Sequence, residues 1–177
     1  MAEHRVIVES GIVTSIPGVA SGTNFYTAAI TDVPGVVAAN NFLSVFNPVG
    51  SGKLMTFYAS IVIPWASAAQ SVAVSMNIFR ITAASVGSTQ TPDKFFTASP
   101  ASIAEVRKGN PTVTITGASL GGFPPAITAA AGGASPTGVN TPSGASFGCV
   151  PGEGLVMTTA SGSTAQLWNL GFIWAEV

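Results

Sequence analysis

The amino-acid sequence predicts an all-β fold, an antiparallel β-sandwich of two sheets, and three observations carry that expectation. Helical periodicity is nearly absent. The 20 glycines and 12 prolines break the 177 residues into short segments. Those segments are rich in β-branched and aromatic residues, and several alternate apolar and polar positions with period two. Eight or so such segments with frequent turn signals match a two-sheet sandwich.

The elements run in chain order. Val6–Val8 and Ile12–Ile16 form a candidate N-terminal pair around Ser10-Gly11. Phe42–Phe46 and Leu54–Ile63 flank the turn-rich run Asn47-Pro48-Val49-Gly50-Ser51-Gly52-Lys53, which reads as a hairpin with a long tip. Within Leu54–Ile63, period two puts Met55, Phe57, Ala59, Ile61 and Ile63 on the core face. Val72–Ile81 sets Val72, Val74, Met76 and Ile78 against Ser75 and Asn77. A short helix of one or two turns is expected at Pro100–Arg107, and a strand at Thr112–Thr116. The tract from Gly117 to Gly148 is too glycine-rich for a stable helix and reads as a long loop, or a pair of loops, ordered by neighbours. Leu155–Thr159 and Leu167–Glu176 close the chain as strands. In the last, Trp168, Leu170, Phe172 and Trp174 share one face, with Asn169 and Gly171 opposite.

Charge sets the functional expectation. Only 7% of residues are Asp, Glu, Lys or Arg, against about 25% in an ordinary soluble domain. A monomer of this mass exposes roughly 8,000 Å², or on the order of 600 Å² per charge. With a net charge of −1, such a surface protects weakly against self-association. Assembly with other subunits is therefore expected. Disorder is not, since 10 Phe, 3 Trp and 2 Tyr supply a large apolar payload. Arg107-Lys108 is the only basic cluster, which argues against nucleic acid as a direct partner. Leu54–Ile63 is too short and too interrupted for a membrane span, so no membrane partner is expected. Met1-Ala2-Glu3-His4-Arg5 has no apolar signal core, and export through a signal peptide is not indicated.

Catalytic chemistry finds few residues to work with. His4 is the only histidine, so every His-based triad, dyad or metal site would depend on it. The carboxylates Glu3, Glu9, Asp32, Asp93, Glu105, Glu153 and Glu176 show no pattern placing two acids on one face, as a glycosidase requires. Gly50-Ser51-Gly52-Lys53 looks like a phosphate-binding loop. The signature needs a glycine where Asn47 stands and Ser or Thr where Leu54 stands, and then a helix rather than a strand. Cys149, the single cysteine, has no basic or histidine neighbour in sequence and reads as a buried small hydrophobe. Glu105 and Arg107 are placed to pair with opposite charges on another strand or chain. No catalytic, cofactor-binding or metal-binding residue is expected, and the chain is read as a non-enzyme needing no cofactor.

Four motifs in order carry a resemblance. They are Asn40-Asn41-Phe42-Leu43-Ser44 continuing through Asn47 to Lys53, Ala104-Glu105-Val106-Arg107-Lys108-Gly109-Asn110-Pro111, Pro151-Gly152-Glu153-Gly154-Leu155, and Trp174-Ala175-Glu176. Together they resemble jelly-roll virion proteins of tailed bacteriophages, of the capsid decoration or auxiliary type. The resemblance spans Asn40 to the C-terminus. It implies a jelly-roll sandwich over 40–177, with 1–39 as an N-terminal arm and first strands packing on neighbours. It implies a virion protein assembled in the host cytoplasm. Its partners would be copies of itself, a trimer being expected, and other virion proteins such as the major capsid protein. The residues before Asn40 and the Gly117–Gly148 tract are the expected contact regions. A carbohydrate- or receptor-binding module of a tail or head fibre, with Trp65, Trp168 and Trp174 as a stacking platform, is the alternative.

Overall fold

The computed structural model describes residues 8–9, 12–13, 23–34, 40–66, 74–126, 139–140, 147–159 and 166–177. The N-terminal pair is present as β1 (Val8–Glu9) and β2 (Ile12–Val13), an antiparallel ribbon of its own. Twelve further strands lie among the described residues. They are β3 (Asn24–Pro34), β4 (Asn40–Phe46), β5 (Met55–Ala66), β6 (Val74–Ser85), β7 (Ser88–Gln90) and β8 (Asp93–Lys94). Then come β9 (Glu105–Lys108), β10 (Thr112–Ala126), β11 (Val139–Asn140), β12 (Phe147–Cys149), β13 (Gly154–Thr159) and β14 (Gln166–Glu176). One sheet runs β10-β6-β13-β4-β9-β7. The other runs β11-β5-β14-β3-β8, with β12 beside β11 on the same edge of β5.

The pairing is nested. β3 pairs with β14, β4 with β13, β5 with β11 and β12, and β6 with β10, all antiparallel. A long hairpin rolled across two sheets gives this order, which is the jelly roll. The short strands β7, β8 and β9 lie between β6 and β10 in sequence and lengthen both sheets at one side.

The core sits between the sheets. On β14, Trp168, Leu170, Phe172 and Trp174 all point inward and are buried, as the alternation predicts. They meet Phe42, Leu43, Val45, Met76, Ile78, Leu155 and Met157 of the facing sheet. Phe42 and Trp168 bring their ring centroids to 6.5 Å across the sandwich. Each such large side chain contributes about 1.5–3 kcal/mol by leaving water. Met76 and Ile78 are likewise buried while Ser75 and Asn77 are only half so.

Several expectations are corrected. Phe42–Phe46 and Leu54–Ile63 do not form a hairpin, because β4 and β5 belong to opposite sheets and the intervening loop turns the corner between them. The core face of β5 changes parity. An extra residue sits between Phe57 and Ala59, opposite Trp174 and Ile173. Beyond this β-bulge, Ser60 and Val62 face the inward residues Phe172 and Leu170, while Ile61 and Ile63 turn outward. Pro100–Arg107 holds no helix; it leads into β9, whose Val106 pairs with Val45. The Gly117–Gly148 tract does not begin as a loop, since β10 continues to Ala126. Its small residues track β6 through register shifts at Thr116/Gly121 and Phe123/Ala126. The rest of the tract, apart from β11 and β12, lies outside the described residues, as does Val72. Finally, β3 is a full member of its sheet, so the sandwich takes in residues from Asn24 rather than from Asn40.

Candidate functional site

Among the described residues, a cavity of about 10 Å³ lies among Phe57, Ile78, Phe147, Leu155 and Phe172, space for one water at most. Trp168 and Trp174 are in the core rather than on a surface, so they cannot stack a sugar. The side chain of Trp65 lies outside the described residues.

Polar side chains drawn inward serve the corners. The loop after β4 is organised by Asn47, which is fully buried. Its Nδ2 donates to the carbonyls of Lys53 (2.8 Å) and Cys149 (2.9 Å), and its Oδ1 accepts from Ser51 Oγ (2.6 Å). Its backbone N–H donates to the Glu153 carbonyl, and its carbonyl accepts from Gly152, both at 2.8 Å. The residue that breaks the phosphate-loop pattern is thus the keystone of a corner joining two loops. Lys53 leads into β5 rather than into a helix.

Beside this corner Arg80 donates to Glu153 Oε2 at 2.8 Å and to the Gly148 carbonyl at 2.9 Å. The Cys149 thiol lies 3.6 Å from the same guanidinium nitrogen. Sequence spacing gave no sign of this basic neighbour, because 69 positions separate the two. Burial still dominates and pushes the thiol up to about 11 from its ordinary 9.0, with Arg80 opposing and Glu153 adding. Between those values the folded thiol keeps its proton while an unfolded one loses it. Stability is therefore lost as pH rises through that window. The thiol is inert: iodoacetamide at about pH 8 should leave the folded chain unmodified and label Cys149 only in denaturant, read by intact mass.

Glu176, 2% exposed, holds the other end of the chain. Its carboxylate accepts from Ser102 Oγ, from the Ile103 N–H (3.2 Å) and from Trp174 Nε1 (3.2 Å). These bonds fasten the 99–104 segment to β14. Tyr26 joins them by donating to the Pro100 carbonyl at 3.1 Å. Burial, and then the Glu176 charge, raise the Tyr26 pKa. Glu105 and Arg107 pair with each other at 3.4 Å on the exposed face of β9, a contact worth little. Among the described residues, no opposite charge on another strand pairs with either.

Among the described residues, no three His, Cys, Asp or Glu side chains gather as metal ligands, and no helix is long and apolar enough to cross a membrane. Glu3 and His4 lie outside the described residues.

Most exposed apolar side chains among the described residues, apart from Val86 and Ile115, gather in two places. At one end of the sandwich Val49 (82% exposed), Leu54, Val150 and Val177 crowd around the Asn47 corner. The second place is the outer face of the sheet β11-β5-β14-β3-β8. Opposite partners in an antiparallel sheet share a face, so Ile61, Gly171 and Ala29 form one outward row and Ala59, Ile173 and Thr27 the next. Ile63 (40%) and Tyr58 (36%) stand exposed there, and Phe25 packs between Tyr58 and Phe95, with centroids at 5.4 and 6.4 Å. On the other sheet the outward Phe46, Ile81 and Val156 are buried in a small second core with Phe79, Ala84 and Val113, and Ile115 is exposed beside them on the end strand β10. What these surfaces can do chemically is make contacts. No protein-family model, curated protein or solved structure matches this chain.

Proposed function

We propose that this chain is a non-enzymatic structural subunit, one that decorates or stabilises a phage capsid through subunit–subunit contacts. The observation that carries the reading is a partly apolar outer sheet face, with acids only at its margin, on a chain with only 13 charged residues, 6 basic and 7 acidic. A jelly roll serves shells, lectins and enzymes alike, so the fold alone does not choose among them. Surface chemistry supports assembly: the buried Asn47 and Glu176 are spent on tying loops and strands together within the chain, and the outer sheet face offers apolar contact. Apolar area gains about 25 cal/mol per Å² on burial, before the entropic cost of association. The phage setting, with copies of the chain and the major capsid protein as partners, rests on the order of the four sequence motifs.

Imaging of purified particles with a mass count of this chain tests the proposal. A regular position and a copy number in the hundreds support a shell role. A stable, dispersed monomer at high concentration that is absent from particles would overturn it. The carbohydrate- or receptor-binding reading keeps one supporting observation, the exposed aromatic rings of Tyr58, Phe95 and Phe96. Binding on a glycan array, lost on replacing Tyr58 and Phe95 by alanine, would favour it instead.

A further inference from the structure

We infer that the outer face of the sheet β11-β5-β14-β3-β8 is an isologous contact, occupied by the same face of a second copy of this chain. The inference rests on the proposed assembly role and adds the surface, the partner and the symmetry.

The face is built for close approach. Its middle row, Ile61–Gly171–Ala29, has a glycine at its centre, flanked by the exposed Ala29 and the half-buried Ile61. Side chains of unequal size, Ile63 and Tyr58 beside Gly171 and Ala29, give ridges and hollows that a second sheet can fill at about 10 Å spacing.

Charge favours a copy of itself. An isologous contact sets one patch against the same patch, so any charge near the axis would meet its own kind. β5 carries no charged residue, and β14 carries only Glu176, which is buried on the opposite side. The acids near this face are at its margin: Asp32 on the β3 bulge and Asp93 on β8. A two-fold axis along β14 lays β3 over the partner's β5. Both aspartates then lie toward the uncharged side of the other copy, as a polar rim around an apolar centre.

Area is sufficient. Three strands of 11 or 12 residues cover about 500 Å² in plan from strand spacing and rise. Side-chain relief and the flanking strands bring this toward the about 800 Å² per partner of a standard interface. The free edge of β10 is a weaker candidate, because its pairing slips at three places along its length.

The test is the solution mass of the full chain by light scattering across a concentration series. The wild type should give an even multiple of the 17.7 kDa chain. Ile63→Lys and Ala29→Lys, on different strands and both exposed, should each halve that mass with an unchanged circular dichroism spectrum. Val49→Lys, on a loop away from the face, should leave it unaltered. Mixing Ile173→Lys with Ile173→Glu, on the β14 row that the axis sets against its own copy, should restore the wild-type mass, since only a face-to-face contact lets the new charges attract. A mass unmoved by either lysine, or a lysine–glutamate mixture that stays dissociated, overturns the inference while leaving the assembly role standing. A wild-type monomer at high concentration also overturns it; the particle count then decides the assembly role separately.

Discussion

Gly154→Ala should destabilise the sandwich by about 3 kcal/mol or more, a large share of the 5–15 kcal/mol of a typical domain. Gly154 opens β13, between Phe46 of β4 and Ile81 of β6. A Cβ there would run into the Val45 carbonyl oxygen and stand 2.7 Å from Phe46 Cα. Both obstacles are backbone of a central strand, so no side-chain rotation relieves the clash. β4 cannot step aside, because β9 pairs with its other edge. Urea denaturation monitored by tryptophan fluorescence measures the loss. Gly148→Ala is the matched control: its nearest neighbour would be Leu54 Cδ1 at 3.7 Å, and the change should fall within about 0.5 kcal/mol. Equal stability of the two variants would show that the close approach of β4 and β13 is not what Gly154 provides.

Asn47→Ala should cost about 3–5 kcal/mol. The substitution strips donors from the carbonyls of Lys53 and Cys149 and the acceptor from Ser51. Leaving a buried polar group unpaired costs about 1–3 kcal/mol, and more than one is orphaned here. Ser51→Ala removes one of the three bonds, together with the long one that Ser51 Oγ accepts from the Lys53 N–H (3.3 Å), and should cost about 1 kcal/mol. Asn47→Asp keeps the acceptor for Ser51 but turns an oxygen toward two carbonyls, so it should not rescue. The readout is again the urea midpoint. Heteronuclear spectra should place the largest shifts at both loops of the corner, around Lys53 and around Gly152. Shifts confined to Lys53 would mean that Asn47 does not couple them.

These two residues mark the border between what local pattern reveals and what it hides. The inward face of β14 is legible because its alternation runs unbroken from Trp168 to Trp174. β5 has the same composition, yet its alternation points to the wrong face beyond Phe57, because a bulge is an irregularity of pairing and leaves no mark on one strand alone. The loop from Asn47 to Lys53 has the residues of a hairpin tip. Whether such a loop stays within a sheet or crosses to the other depends on partners such as Cys149, 102 positions away. Arg80 beside Cys149, and Ser102 and Ile103 on Glu176, are equally invisible in the sequence, as each contact spans 69 to 74 positions.

Composition by itself determined that the chain is all-β and that its surface is poor in charge, since propensity, period and charge count are sums over local residues. Only the tertiary structure decided where that surface opens. The first sheet buries its outward Phe46, Ile81 and Val156 in a second small core and exposes Ile115 only on the end strand β10, whereas the second sheet leaves Ile63, Tyr58 and Ala29 uncovered on inner strands. Both faces read alike along the strands. They differ because the bulge in β5 turns isoleucines outward, and because burial is a property of what packs on a face rather than of the face's own residues.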